Sequence, residues 1–420
     1  MAEITAVLLG AGGRGMYTYG EYALKHPDEI RFVAVAEPNI ERRERFVQLH
    51  SISKENTFES WEQLMEKQKL ADAAIICTQD RMHFEPSINA IEKGYHVLLE
   101  KPMSHDPSEC IKMGGYAERH ERIFSICHVL RYTDFFSTLK KLLEQGRIGK
   151  LVSIQHNENV AFWHYAHSYV RGMWRNSEQS GPMILTKSCH DMDIMLWLAG
   201  ADCINISSNG SLMYFKEENA PEGAPKRCLD GCPAEPECPY FAPKTYLADE
   251  ERFYPFQFML CTDQSVESRL KAMKESQYGR CVYYCDNNVV DHQVVGMEFA
   301  NGVTAAFTMC AFTNECSRTL KLMGTQGEIR GNILKNEIEI TDFAVGRKDL
   351  ITLRKAESGH EGGDEGIMRD FVRLFTGSGR NASLTSAKIS VQSHLMAFAA
   401  EKSRLEGCTI NMKDYMKSLK

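Results

Sequence analysis

Six residues near the start of the chain, Gly10-Ala11-Gly12-Gly13-Arg14-Gly15, constrain the fold more than any other feature. They follow a short apolar run, Ile4 to Leu9, and open a stretch from Gly15 to Lys25 that reads as a helix. A glycine turn between a buried strand and a helix is the setting in which G-x-G-x-x-G holds a dinucleotide. Gly10 permits the tight turn, Gly12 lets backbone approach a pyrophosphate, and Gly15 lets the helix pack on its strand. Gly13 and Arg14 complete the turn, and the helix N-terminus offers free N–H groups and partial positive charge to phosphates. Glu37 ends the next apolar run, about twenty residues past Gly15, where an acid accepts hydrogen bonds from both ribose hydroxyls and repels a 2′-phosphate. The cofactor reading is therefore NAD, with NADP the minority reading because Arg42 and Arg43 lie beside it.

Apolar runs at 31–36, 72–77, 95–99 and 123–129 alternate with helical stretches at 39–49, 85–93 and 108–120. That alternation predicts an α/β fold whose N-terminal part, residues 1–127, is a Rossmann domain with a doubly wound parallel sheet. The rest reads differently. Lys150 to Val160 alternates wet and dry positions, and runs at 289–299, 304–312, 318–324, 328–332 and 337–342 are joined by short turns. This predicts, over 128–420, an α+β domain with a large, mostly antiparallel open sheet that binds substrate and carries the oligomer contact. A segment rich in Pro, Gly and Cys, about 217–243, reads as a surface insertion.

With 420 residues and ordinary globular usage, the chain can bury two cores. A net charge of −7 argues against duplex nucleic acid as a partner. No apolar run approaches the ~20 residues of a membrane span, and the N-terminus lacks a signal-peptide pattern, so a cytoplasmic location is expected. In that compartment the 14 cysteines should be core thiols or metal ligands. Cys228, Cys232 and Cys238 crowd into the insertion, at a spacing compatible with a structural Zn site. A fourth ligand would come from Cys261, Cys281 or Cys285, and free thiols are the alternative.

Glu100-Lys101-Pro102 follows the fourth predicted strand, and with the glycine fingerprint it resembles the Gfo/Idh/MocA (glucose-fructose oxidoreductase / inositol dehydrogenase) family over essentially the whole chain. The resemblance implies that Lys101 binds substrate and tunes the catalytic acid/base, with Glu100 on the cofactor side. It also implies that Thr78, Gln79 and His83 border the cofactor, that His128 and Arg131 line the nicotinamide region, and that His292 opens a strand facing the site. The family's second signature is usually Asp, four residues, His, then Asp three residues on. Here Thr186 stands in the first position, Lys187 beside it, and His190 and Asp193 match the rest. His190 is then the general acid/base, because imidazole titrates near neutrality. Lys187 can polarise a substrate hydroxyl, and Asp193 lies on the substrate side. Between Phe162 and Arg175, Trp163 and Trp174 can stack on a sugar while His164, His167, Tyr169, Arg171 and Arg175 bond hydroxyls or a carboxylate; a core segment with aromatic anchors is the alternative. The expected activity is NAD-dependent hydride transfer between a secondary alcohol of a sugar, inositol, sugar acid or glycoside and nicotinamide. The alternatives are an NAD-dependent glycosidase working by transient oxidation and elimination, and a non-enzymatic sugar- or cofactor-sensing regulator. A homodimer or homotetramer is expected through the open sheet face, which would otherwise be an exposed apolar patch. Cys189, beside His190, is expected to be sensitive to oxidation.

Overall fold

The computed structural model describes residues 3–356, 359–376 and 383–419. Strands β1 (Ile4–Leu9), β2 (Ile30–Ala36), β3 (Thr57–Phe58), β4 (Ala73–Ile76), β5 (His96–Leu99) and β6 (Phe124–Ile126) form one sheet in the order β3-β2-β1-β4-β5-β6. Every neighbouring pair is parallel. The apolar run of β1 has no polar face because both faces are covered. Ala6 and Leu8 pack with Phe32 and Phe46 on one side, while Val7 and Leu9 pack with Leu64 and Ile88 on the other. The strand order reverses between β1 and β4, and the glycine turn follows β1 at that switch point, where α/β sheets bind ligands.

The second sheet has nine strands: β7 (Leu151–Val160), β8 (Cys203–Ser211), β9 (His292–Phe299), β10 (Thr304–Cys310), β11 (Cys316–Gly324), β12 (Gly327–Asn332), β13 (Glu337–Asp342), β14 (Lys348–Thr352) and β15 (Ile410–Asn411). Their order is β14-β13-β12-β11-β7-β10-β9-β8-β15, antiparallel throughout except for the central β7–β10 pair. Its inner face carries Ile154, His156, Phe307, Leu320 and Leu322, all buried, against the helices Asp134–Glu144 and Cys189–Ala199.

The open face departs from expectation. It is polar rather than apolar, with Asn157 donating to Thr319 at 3.0 Å, Asn159 to Ser317 at 2.9 Å and Thr304 to Ser153 at 3.2 Å. Cross-strand amide and hydroxyl pairs are stable facing water, so this face needs no apolar cover. The sequence reading also omits β3, β8, β14 and β15. Two are only two residues long, β14 is an edge strand, and β8 runs through Asn205, Ser207, Ser208, Asn209 and Gly210 with little apolar alternation.

The chain returns to the first sheet after the second. In the helix Gly363–Thr376, Ile367, Met368, Phe371 and Val372 join the core of Ala6 and Phe32. The helix Ala387–Glu406 accepts backbone N–H groups through its side chains, Met103 N–H donating to His394 Nε2 and Ser208 N–H to Ser403 Oγ, both at 2.9 Å. The insertion is less superficial than its composition suggests. Cys228 is buried with Phe241, Ala242, Tyr246, Phe253, Phe256, Leu260 and Met273 in a third, smaller core. The expected surface insertion therefore carries a core of its own, with Cys228 inside it and Cys232 and Cys238 half-buried at its edge, because residues 242–275 add three helices.

Phe307 is fully buried at the centre of the second sheet and stacks on His156. Phe307→Ala is expected to lower unfolding free energy by about 3–5 kcal/mol through lost transfer and cavity terms. Urea denaturation measures it, and a loss below about 1 kcal/mol, typical of a surface change, would contradict this packing.

Candidate active site

The glycine turn has the geometry its sequence requires. Gly10 has φ +93°, and a Cβ there would lie 2.5 Å from the Cys77 carbonyl oxygen. A Cβ on Gly15 would lie 2.1 Å from the Gly10 oxygen. A Cβ on Gly12 or Gly13 would meet nothing within 4 Å, so the outer side of the turn is open to a phosphate group. Glu37 accepts the Ala11 N–H at 2.8 Å and the Asn39 N–H at 2.9 Å. Each of its oxygens keeps acceptor capacity for a ribose hydroxyl. Arg43 is committed to the Glu37 and Pro38 carbonyls, whereas Arg42 is exposed. Thr78 and His83 serve the strand end: Thr78 Oγ1 donates to the Met82 carbonyl, and the His83 ring faces the Pro102 oxygen at 2.6 Å and the Thr78 oxygen at 3.0 Å. Gln79 is exposed beside them.

Arg14 does not project freely from the turn. Its Nε donates to Glu100 at 2.5 Å, its two Nη groups to the two oxygens of Asp364 at 2.8 Å, and Nη2 also to the Tyr19 hydroxyl at 3.0 Å. Tyr19 donates in turn to Glu100 at 2.5 Å. Burial alone would raise the Glu100 pKa, but Arg14 and Tyr19 outweigh it and hold this carboxyl below its usual range.

Lys101, His128 and His190 meet at the carboxyl ends of β5 and β6. The Lys101–Pro102 peptide is cis, and Lys101 Nζ donates to the Thr186 carbonyl at 2.9 Å. Thr186, which replaces the family's Asp, thus meets Lys101 through its backbone. His190 lies in the first turn of the helix Cys189–Ala199, keeps 5% of its surface exposed, and its Nδ1 has no partner. Burial, then the Lys101 charge and the neighbouring His128, holds its pKa well below the usual imidazole value. The His128 and His190 ring centroids are 5.8 Å apart, and both His128 nitrogens are buried without a hydrogen-bond partner among the described residues, Nε2 lying 3.9 Å from Asp193 Oδ1. Burial pulls His128 down to about 4. Asp193 forms a two-pronged pair with Arg131, at 2.6 and 2.7 Å, so both are fixed to each other. Burial opposes ionisation of Asp193, and Arg131 overcomes it. Cys189 is buried and pushed up to about 12 chiefly by that burial, which makes it an inert thiol rather than an oxidation-sensitive one.

A second charged group lies beside these, and the sequence reading found only one of its members. Lys187 pairs with Glu158 at 3.3 Å, Glu158 with Arg318 at 2.5 Å, Arg318 with Asp191 at 2.7 Å, and Asp191 with His156 at 2.8 Å. All of them lie on or against the inner face of the second sheet. Burial lowers the Lys187 pKa and Glu158 more than restores it, so Lys187 is a fixed cation. The signal for the missed members was polar residues, His156 and Glu158, at alternate positions of β7 where apolar ones belong. His164 adjoins this group, its Nδ1 3.5 Å from Cys316 Sγ, and burial holds its pKa well below normal.

Several expected substrate ligands lie elsewhere. Arg171 is fully buried and donates to the carbonyls of Arg280 and Tyr240, both at 2.7 Å, and to Cys228 Sγ. It ties the helical turn Ala166–Arg171 to Cys228 and Tyr240 of the insertion and to the Arg280 carbonyl. Arg175 forks onto Asp286 at 2.9 and 3.0 Å. Trp163 packs on Phe253 and Phe256, and His167 bonds Tyr246 and stacks on Tyr278, both within the third core. Tyr169 stacks between Tyr165 and Trp174, whose Nε1 donates to Asp80 at 3.0 Å. His292 pairs across the sheet with Cys310, which pairs with Asn159, so it shares the open face, opposite Glu158. Cys228, Cys232, Cys238 and Cys281 line one cavity of about 10 Å³. Among the described residues, however, no three His, Cys, Asp or Glu side chains group closely enough to hold a metal ion, and the Cys228 sulfur instead accepts the Ala242 N–H and the Arg171 guanidinium. The thiols as they stand do not fit a Zn site.

Two family models match the chain. One, described as an oxidoreductase family with an NAD-binding Rossmann fold, covers residues 4–128. The other, the C-terminal alpha/beta domain of the oxidoreductase family, covers residues 140–412. The chain is 22% identical over 324 residues to the putative oxidoreductase YteT of Bacillus subtilis (strain 168), spanning 73% of this chain and 72% of that protein. It is 23% identical over 223 residues to scyllo-inositol 2-dehydrogenase (NAD(+)) of the same organism, spanning 50% of this chain and 58% of that protein. A levoglucosan dehydrogenase solved with NADH and levoglucosan superposes with a TM-score of 0.72 at 17% identity, over 98% of this chain and 99% of that one. An Agrobacterium radiobacter oxidoreductase solved with NAD+, L-tartaric acid and magnesium gives 0.70 at 15% identity, with the same coverage. At such identities the structural likeness establishes the fold, while the family models span nearly the whole chain. With the glycine turn, the Glu100-Lys101-Pro102 corner and the open sheet all in place, the chain belongs to the Gfo/Idh/MocA oxidoreductase family.

Proposed function

We propose that the protein is an NAD-dependent dehydrogenase that oxidises a secondary alcohol of a neutral sugar or inositol. One observation carries the reading: a buried, partner-free imidazole nitrogen of His190 beside Lys101, at the strand ends next to an open glycine turn. Oxidising an alcohol requires a base for the O–H proton and an acceptor for the C–H hydride. Bound nicotinamide supplies the hydride acceptor. Gly10, Gly12, Gly13 and Gly15 would hold its pyrophosphate and Glu37 its ribose. Because Glu37 is acidic and Arg43 is committed elsewhere, NAD is favoured over NADP.

The protein's own groups handle the proton. Lys101 spends one donor on the Thr186 carbonyl and has two left for a substrate oxygen. Its positive charge favours the alkoxide that forms as the proton departs. His190 is neutral near pH 7, because burial and the Lys101 charge disfavour the imidazolium, so it is ready to accept. The Lys187–Glu158–Arg318–Asp191 group sets two cations against two anions, so it adds hydrogen-bonding groups without a net charge. With Arg171 and Arg175 both occupied, a carboxylate-bearing substrate has no arginine fork waiting for it. This favours neutral polyols over sugar acids.

A panel of sugars, inositols and glycosides with NAD and NADP, followed for NADH and for cleavage products, tests the reading. Stoichiometric NADH with a neutral polyol is the expected result; cleaved glycoside without net NADH would point instead to transient oxidation and elimination. His190→Asn should lower kcat by about 10²–10⁴, the usual share of general acid–base catalysis, with NADH binding retained. Full activity in both His190→Asn and Lys101→Met would refute the assignment.

The pH dependence follows from the sign of the shift. The base must be unprotonated, so kcat/KM for oxidation is flat near neutrality and falls as pH drops through the His190 pKa, which lies below the ordinary imidazole value. Lys101→Met removes a positive neighbour that disfavours the imidazolium, so the midpoint of this acid limb should move to higher pH. A midpoint that stays put or moves lower in that variant would show that Lys101 does not act on His190.

A further inference from the structure

His360 lies outside every motif discussed above, yet it reaches the same site. It sits in the 3-10 turn His360–Gly362, directly before the helix Gly363–Thr376. Its ring centroid is 6.1 Å from that of His190. Its Nδ1 faces both oxygens of Asp364, at 3.0 and 3.1 Å, and Arg14 Nη1 at 3.4 Å. Asp364 is itself gripped by Arg14, so the ring is anchored to the glycine turn of the first sheet. A carboxylate on one imidazole nitrogen fixes the ring's orientation and leaves the other free to exchange protons. The backbone is held unusually to achieve this. His360 and Glu361 have φ of +48° and +49°, a left-handed conformation that non-glycine residues seldom adopt, followed by Gly362 at +88°. Two such residues in sequence each cost free energy that the surroundings must offset, and they concentrate at functional sites.

The two histidines differ in access to water. His190 is almost fully enclosed, whereas the His360 side chain is 42% exposed. On the reading above, each oxidation leaves a proton on His190, which faces the cations Lys101 and Arg318 and the buried His128. That proton must leave before the next turnover. A ring-centre separation of 6.1 Å is spanned by ring edges and a single bridging water.

We propose that His360 is the proton-transfer residue that takes the substrate-derived proton from His190 and passes it to bulk water. The balance is complete. The substrate O–H breaks, its proton bonds to His190, moves to the free nitrogen of His360 as that nitrogen's lone pair accepts it, and ends as hydronium or on buffer; the hydride goes separately to nicotinamide. Asp364 and Arg14 act through His360 as positioning residues.

This inference rests on the dehydrogenase reading, and the test separates the two. Wild type and His360→Gln are mixed with NAD and the polyol that gives the fastest NADH formation in the panel above, in weak buffer with a pH-indicator dye. The expected result is that both form NADH in the first turnover, but the variant releases its proton late. Its steady-state rate falls by about tenfold or more, within the range for a general acid–base group, and added imidazole buffer restores it. His190→Asn is not rescued in this way. Equal proton release and turnover in wild type and His360→Gln overturns the inference while leaving the dehydrogenase reading intact. Loss of first-turnover NADH formation in His360→Gln also overturns it, because His360 would then act on substrate. If wild type itself makes no NADH with any polyol, the dehydrogenase reading falls first.

Discussion

Arg14 is the point at which the two halves of the site are joined. A single guanidinium bonds Glu100, at the end of β5, and Asp364, which lies 350 residues further along the chain in another helix. Both carboxylates are buried, and each is costly to ionise without a partner. Removing the arginine would leave two like charges facing each other in a poorly solvated space. The glycine turn, the Glu100-Lys101-Pro102 corner and the helix Gly363–Thr376 are therefore held in one arrangement by an electrostatic need rather than by packing alone. The helix's apolar stripe of Ile367, Met368 and Phe371 then closes over the first sheet.

The same logic runs through the rest of the site. Arg131 neutralises Asp193, and the Lys187–Glu158–Arg318–Asp191 group balances itself on the inner face of the second sheet. Every buried charge there has a counter-charge or a hydrogen-bonding partner. Against that background, both His128 nitrogens and His190 Nδ1 stand out, because among the described residues they have no hydrogen-bond partner. A buried polar atom without a partner costs free energy unless something else engages it. These nitrogens lie at the strand ends of a doubly wound sheet, the place where such folds bind ligands.

Much of this was legible in the sequence, though unevenly. The parallel sheet is legible in apolar runs that need no polar face, and the bounds of β2, β4 and β5 agree with those runs to within one or two residues because glycines and polar turns end them sharply. The strand β8 is not legible in the same way, because its alternation is carried by Ser and Asn on a polar face. The segment from Phe162 to Arg175 supports two readings, a sugar-binding stretch and a core segment. Histidine, arginine and tryptophan can serve a sugar or can clip backbone carbonyls together, and residue type alone does not choose. Arg171 went to the carbonyls of Arg280 and Tyr240, more than sixty residues away, because the insertion folds into a core of its own.

The glycine turn, the acid at Glu37, the Lys101 corner and the His190-x-x-Asp193 pair are legible in the chain alone, because each is a local pattern whose chemistry depends on spacing along it. Which charges meet depends on the folded arrangement. Arg14 with Asp364, Arg131 with Asp193 and Arg318 with Asp191 join residues 350, 62 and 127 positions apart. The physical reason is that burying charge is an all-or-nothing demand on partners, and those partners are supplied by whatever elements the fold brings alongside, wherever they lie in the chain.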